Sequence, residues 1–442
     1  MEHLFVSVPW AENINLYKMR AIIYFMKGVF IILDGMGDLP NSQLKGKTPL
    51  EAANTPNLDF FAARGEMGLM NSVKPGFTPG SDEAIVCIFG NDLIDSTRGQ
   101  LEAQGSGMKL VRGDLAFRVN FGTIDEKKKG EIVDRRAGRT LTNDEAEELA
   151  NAINVQVDLP NKFFLKPSVQ HRASLVFRGG LSDNITGNDL TYSGGKIKAF
   201  NRAVKCMPLD DTELSQYTAN LVNEFLRRSF EVLNNHPINE ERRRKGLLPA
   251  NYLFLRGAGV EIPKLKQYKK WASVAYMPLE TGFSELCGMK VFGFEYPKLT
   301  NLDSYDNLYR GLRKACKFAV KTIKRQRKNF DYFYIHIKET DLPGHDNKPL
   351  MKKDMLEYID RTLIKFLRKF APPNQLKVAV TADHSTPCAL KNHSADPVPV
   401  LLYDGTKPNI PRQRKFSEKD ARQGTLGKFN GQDLMKIIGF GK

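Results

Sequence analysis

The chain has 442 residues, with 66 Lys plus Arg against 50 Asp plus Glu, a formal net charge of +16 at pH 7. That length exceeds the size at which one hydrophobic core is usually sustained, so two domains are expected. The basic residues are spread along the chain among acidic ones, with no helix-turn-helix, zinc-finger or aromatic-interleaved pattern. This argues against a specific nucleic-acid binder and leaves a diffuse positive field suited to an anionic substrate.

Met1 to Leu16 has no basic region leading into an apolar core and a small-residue cleavage site, so no secretory signal is expected. The apolar stretch 21–33 is interrupted by Lys27 and is too short to cross a bilayer. Its second half, 29–33, reads as a buried strand running into Asp34-Gly35-Met36-Gly37-Asp38. Pro79-Gly80-Ser81-Asp82 follows, a turn that carries a serine. Farther on, helical periodicity occupies 143–153 and 212–233, and 173–177 and 252–255 read as strands. The run 332–337 points towards Asp341-Leu342-Pro343-Gly344-His345, where Pro343-Gly344 favours a loop over a helix. The run 378–381 leads into Asp383-His384-Ser385, and 398–403, after His393, reads as one more buried strand. Asp and His therefore gather just beyond strand ends, in the crevice where open parallel sheets build their sites.

Three of the seven histidines fall in these stretches. Asp and His are natural ligands for Zn, Mn, Co or Fe, and a paired metal site can activate a serine hydroxyl while clamping the oxygens of a transferring phosphoryl group. No cysteine lies in the motifs themselves, which argues against a closed structural zinc site. Cys388, nearby, reads as packing. Asp34 and Ser81 come early and the remaining ligand candidates after residue 340. The metal-binding domain is thus expected to be discontinuous, 26–101 with 266–442, around an inserted substrate-binding domain, 102–265.

The same motifs, with Lys47-Thr48-Pro49-Leu50-Glu51-Ala52-Ala53-Asn54-Thr55-Pro56, Asp134-Arg135-Arg136-Ala137-Gly138-Arg139, Arg256-Gly257-Ala258-Gly259 and Asp383-His384-Ser385-Thr386-Pro387, resemble the archaeal-type cofactor-independent phosphoglycerate mutases, a branch of the alkaline phosphatase superfamily. The resemblance runs from about residue 26 to the C-terminus. It leaves 1–25 as an N-terminal extension, expected to be peripheral, so that a chain begun at Met26 keeps its fold. It implies an α/β fold, an alkaline-phosphatase-like, mostly parallel sheet flanked by helices, with a smaller α+β substrate domain inserted. Ser81 would be the nucleophile and form a phosphoserine. One metal ion would be held by Asp34, Ser81, Asp383 and His384, and a second by Asp341, His345 and His393. The reaction implied is interconversion of 3-phosphoglycerate and 2-phosphoglycerate in glycolysis and gluconeogenesis, with two divalent ions (Mn expected; Co, Zn or Mg as alternatives) and no bisphosphoglycerate.

A substrate carrying both phosphate and carboxylate needs bidentate donors, and Arg135, Arg136, Arg139, His171, Arg172 and Arg256 are the candidates. One departure bears on the chemistry. Related sequences often carry Lys before the Gly in the segment that here reads Pro278-Leu279-Glu280-Thr281-Gly282. If that Lys neutralises the phosphoryl group, its loss either slows transfer or demands a substitute such as Lys47 or Lys338. Asn91-Asp92-Leu93 and Ser96-Thr97-Arg98 also differ from the usual spellings. The alternative activity is a metal-dependent phosphatase or another phosphomutase on the same scaffold. A sulfatase is disfavoured because the nucleophile is a plain serine. The five cysteines form no disulfide framework, so a cytoplasmic enzyme with a small phosphorylated substrate and no membrane partner is expected.

Overall fold

The computed structural model describes residues 26–93, 98–189, 191–193, 196–198, 201–408 and 410–440. The expected extension 1–25, and Ser96 and Thr97, lie outside the described residues. In chain order the strands are β1 (Gly28–Leu33), β2 (Glu66–Asn71), β3 (Leu115–Asp125), β4 (Glu131–Asp134), β5 (Phe163–Pro167), β6 (Arg172–Phe177), β7 (Thr191–Ser193) and β8 (Lys196–Lys198). They continue with β9 (Tyr252–Gly259), β10 (Trp271–Val274), β11 (Lys290–Phe292), β12 (Tyr332–Ile337), β13 (Lys377–Thr381), β14 (Val398–Asp404) and β15 (Gly427–Asn430).

Eight of these form one sheet in the order β11-β10-β12-β1-β13-β14-β2-β15. Every neighbouring pair is parallel except the two made by β14. Strands β1 and β12 are buried at every position, as their near-continuous apolar runs require when helices cover both faces of a parallel sheet. The fold is thus α/β, a mostly parallel sheet flanked by helices.

Register turns this sheet into a scaffold for chemistry. Leu33 on β1 stands beside Ile337 on β12, and Ile32 stands beside Thr381 on β13. One or two steps beyond those pairs, Asp34, Lys338 and Asp383 emerge side by side from three adjacent strands. Asp34 N–H donates to Ile337 O at 2.9 Å, so the alignment persists past the strand end.

A second, antiparallel sheet runs β4-β3-β6-β5, with β9 also on β3. The helices Asn143–Gln156 and Glu213–Asn234 supply its own core of Phe117, Leu149, Phe177 and Phe225, separate from the core around β1. Both helices lie where the periodicity places them. The helix Arg98–Gly105 packs against the helix Pro278–Leu286 of the large sheet as well as against β3 and β9. A Cβ on Gly105 would stand 1.8 Å from Pro278 O and one on Gly282 1.9 Å from Leu101 O, so the closeness of these two helices depends on both glycines. Among the described residues no helix is long and apolar enough to cross a membrane.

Candidate active site

Asp341 and His345 do not lie on a loop. They are the first and last residues of a short helix, Asp341–His345. Pro343 is tolerated because it sits in the first turn, where its missing N–H has no intrahelical partner to lose. Gly344 is required, since a Cβ there would meet Thr386 O at 2.4 Å. The i,i+4 spacing then puts both side chains on one face, with His345 Nε2 3.2 Å from Asp341 Oδ2. Ser81 opens the helix Ser81–Ile88 rather than ending in the turn. Its Oγ therefore sits at a helix N-terminus, where unpaired N–H groups and the macrodipole favour an anion.

These elements converge. Ser81 Oγ is 3.2 Å from His384 Nε2. That nitrogen is 3.3 Å from Asp34 Oδ1 and 3.3 Å from Asp383 Oδ2, and His393 Nε2 is 3.8 Å from Asp341 Oδ1. Gly35 is needed at the crossing of these segments: its φ is +60°, and a Cβ would lie 2.6 Å from Asp341 Oδ1.

The hydrogen bonds behind the ligands fix their tautomers. His393 Nδ1 is 2.8 Å from Pro79 O, and His345 Nδ1 is 3.1 Å from Lys391 O. A carbonyl can only accept, so each Nδ1 carries a proton and each ring turns Nε2 inward; Asp341 opposes burial at His345 and raises its pKa above the ordinary value. For His384 the partner is Thr386 Oγ1 at 3.0 Å, whose own proton is committed to Asp341 Oδ1 at 2.7 Å. All three imidazoles thus turn Nε2 towards carboxylates. Burial pushes His384 down to about 4 and, with His384 beside it, holds His393 well below the ordinary range, so both rings are neutral at pH 7.

Such a set fits divalent cations. One group, Asp34, Asp383 and His384, and a second, Asp341, His384 and His393, each bring their ligand atoms within 4.8 Å of one another. Asp34 Oδ1 and Asp383 Oδ2 are buried with no hydrogen-bond partner, a costly arrangement unless a cation completes it. Burial and the charge of Asp34 push Asp383 above the usual carboxylate range. Burial would raise Asp34 too, but Lys338, His336 and His384 together outweigh it and hold that carboxyl well down.

The six arginine and histidine candidates all line one cavity of about 500 Å³, together with Asp34, Ser81, Asp341, His345 and His393. They are not equally available. Arg139 is engaged by Asp346 at 2.5 and 2.8 Å, a bidentate pair that Tyr305 supports from the far side at 2.7 Å. Arg135 bonds Asp189 at 3.0 Å. Burial, with Arg172 beside it, holds His171 well below the ordinary range, hence neutral. Burial and Arg98 bring Arg256 down to about 9.

The lining residues outside the sequence-derived set include the charged Arg98, Glu102, Arg118 and Glu280. Arg98 bridges Asp82 at 3.0 Å and Glu102 at 2.9 Å, and Arg118 reaches Glu102 at 3.2 Å. The signal for Arg118 was present: Arg118 and Asn120 interrupt the apolar run of β3, which is buried at both positions. Thr281 does not line the cavity and Lys47 is exposed, whereas Lys338 lies in the wall, paired with Asp34 and, at 2.8 Å, with Glu280.

The family model described as 2,3-bisphosphoglycerate-independent phosphoglycerate mutase matches residues 62–239. Curated relatives described by that same name include one from Pyrococcus furiosus, 40% identical over 421 residues, 93% of this chain and 96% of the relative. Another, from Thermococcus kodakarensis, is 39% identical with the same coverage. Among solved structures, a protein from Pyrococcus horikoshii superposes with a TM-score of 0.70 at 32% identity, covering 94% of this chain and 97% of that one. The cofactor-independent phosphoglycerate mutase from Thermoplasma acidophilum superposes with a TM-score of 0.54 at 31% identity, covering 93% and 98%.

Proposed function

The chain belongs to the 2,3-bisphosphoglycerate-independent phosphoglycerate mutases, and on that footing we propose that Ser81 carries the phosphoryl group between the two hydroxyls of glycerate. The chain is an isomerase that interconverts 3-phosphoglycerate and 2-phosphoglycerate. The observation that supports the residue assignment is the convergence of a helix-terminal serine with two overlapping Asp/His groups whose rings all present Nε2.

Asp34, Asp383 and His384, with Ser81 Oγ, would hold one divalent ion, and Asp341, His345 and His393 the other. When bound, the ions lower the pKa of the serine hydroxyl and offset charge on phosphoryl oxygens. We propose Mn as occupant, with Co, Zn or Mg compatible with the same ligands. Ser81 Oγ loses its proton and bonds to phosphorus as the bond to the glycerate oxygen breaks and that oxygen is protonated. The N-terminus of the helix Ser81–Ile88 stabilises the phosphoserine. Arg135, Arg136, Arg172, Arg256 and His171 keep the freed glycerate in the cavity while it reorients. The reverse transfer onto the other hydroxyl completes the exchange.

We assign 26–101 with 266–442 to the metal-binding domain and 102–265 to the substrate domain. The separate cores of the two sheets support this division. Five free, buried thiols favour a reducing compartment, and we place the protein in the cytoplasm.

Supplied with Mn and 3-phosphoglycerate, the purified protein is expected to form 2-phosphoglycerate without inorganic phosphate. Following both products in one reaction tests this. Phosphate without isomer would make the chain a phosphatase and withdraw the arginine assignments.

Arg139 acts differently from the other candidates. It joins the small sheet's side of the cavity to Asp346, which follows the helix Asp341–His345. Asp346→Asn keeps the shape but removes the charge that holds this rim together. The expected result is a KM for 3-phosphoglycerate raised roughly tenfold with kcat within about threefold, the scale of a partly buried bidentate pair. An unchanged KM would return Arg139 to direct substrate contact.

A further inference from the structure

The mutase reading leaves one buried charge cluster in the cavity wall without a role. Glu280 lies in the first turn of the helix Pro278–Leu286 and is 1% exposed. Its Oε2 has no hydrogen-bond partner, and its Oε1 meets Lys338 Nζ at 2.8 Å. A buried carboxylate held by so little is expensive, and its retention calls for a reason beyond stability.

Lys338 is built to point where it does. It follows β12 by one residue, beside Asp34, which follows β1 by one residue in the same register. Its backbone is pinned by Tyr276, whose hydroxyl accepts from Lys338 N–H at 3.1 Å and donates to Glu339 Oε2 at 2.8 Å. The tyrosine is itself buried. With the backbone fixed on that side, the lysine side chain runs into the cavity shared with Ser81 and Arg256, and its ammonium sits against both Asp34 and Glu280.

Two carboxylates share one ammonium here. Asp34 belongs to a group of candidate metal ligands with Asp383 and His384, and a further group joins Asp34 and Glu280 with His336; an ion in the first group would engage Asp34 and leave Glu280 free to hold the ammonium. When the Asp34 oxygens are given to a divalent ion, the ammonium loses that partner and is repelled by the ion. Glu280 is then the anion that keeps it in the wall. A compact point charge with three N–H donors, in the wall of the cavity that Ser81 also lines, suits the charge spread over the three equatorial oxygens of a phosphoryl group in flight.

We propose that Lys338 is the cation that faces the phosphoryl group during transfer, and that Glu280 is the positioning residue that retains it there once Asp34 is committed to a metal ion. The proposal deepens the mutase reading of the same site and rests on it. Lys338 is a catalytic residue in this account, and Glu280 acts only through it.

The test uses the full chain carrying Lys338→Met, Lys338→Arg or Glu280→Gln, with Ser81→Ala as reference. The readouts are kcat and KM for 3-phosphoglycerate and Mn affinity by calorimetry. Lys338→Met is expected to lose roughly 10²–10³-fold in kcat, the usual scale for removing one preorganised donor to a developing charge. It should bind Mn more tightly by several-fold, because the ammonium no longer competes for Asp34. Lys338→Arg is expected to recover about tenfold of the lost kcat, since the charge returns with the wrong shape. Glu280→Gln should lower kcat about tenfold with KM and Mn affinity nearly unchanged. The idea is overturned if Lys338→Met keeps kcat within about threefold of the wild type. It is also overturned if the Met and Arg variants are equally inactive and both bind Mn poorly, which would make Lys338 a support for Asp34. Exchange that survives Ser81→Ala would instead remove the nucleophile assignment, so the two failures are distinguishable.

Discussion

Ser81→Ala is expected to abolish isomer exchange, with kcat reduced by roughly 10⁴-fold or more, if Ser81 is the nucleophile of a two-step transfer as proposed. No neighbour can take its place: the hydroxyl opens the helix Ser81–Ile88 and lies 3.2 Å from His384 Nε2, a distance no other hydroxyl at that helix terminus reaches among the described contacts. The fold is barely affected. Loss of one buried hydroxyl costs about 1 kcal/mol, and the melting temperature of a chain this long moves by only a few degrees. Steady-state kinetics, melting curves and acid-quench trapping of a phosphorylated protein from 3-phosphoglycerate check this together. Wild-type protein is expected to carry the label and the variant to lack it. Exchange at a tenth of the wild-type rate would show that another group accepts the phosphoryl.

Ser81 and the six Asp and His ligand candidates could be picked out in the sequence because each follows a short apolar run or a tight turn, and strand-end placement is a local signal. The parallel register then does the assembly, bringing Asp34 and Asp383 together, with Gly35 N–H donating to Asp383 Oδ1 across 348 residues. The helices 143–156 and 213–234 were legible from periodicity for the same local reason. What stayed hidden has no local signature. The pairing of Arg139 with Asp346 spans 207 residues, and neither residue's neighbours announce it. Glu280 reads as an ordinary first-turn helix acid until Lys338 is seen against it. The short helix at Asp341–His345 was missed because Pro343-Gly344 breaks helices in general but not in a first turn packed against Thr386. Tertiary contact decided each of these.

Asp383→Asn separates the needs of chemistry from those of folding. The carboxyl is fully buried. Its Oδ1 accepts from Gly35 N–H and His384 N–H, both at 3.0 Å, while Oδ2 has no hydrogen-bond partner and faces the site. Burial and Asp34 raise its pKa above the unfolded value. Its folded form therefore holds a proton more tightly than the unfolded chain, and the associated stability is present below the unfolded pKa and lost as pH rises through the folded one. At neutral and alkaline pH the metal-free protein carries this carboxylate at a cost. Asparagine keeps the shape and the Oδ1 acceptor without the charge. The metal-free variant is therefore expected to melt above metal-free wild type, by a few degrees for an effect of about 1–2 kcal/mol, with the gap widening from pH 5 to pH 8. Mn should reverse the order. Wild type gains stability by mass action on its intact ligand set, whereas the variant has lost an anionic ligand and gains less, and its kcat falls by roughly 10³-fold. Melting curves with chelator and with Mn at the two pH values read both signs. A metal-free variant that melts at or below wild type at pH 8 would mean that the carboxylates are not in conflict without the ion, and that Asp383 supports the fold as well as the chemistry.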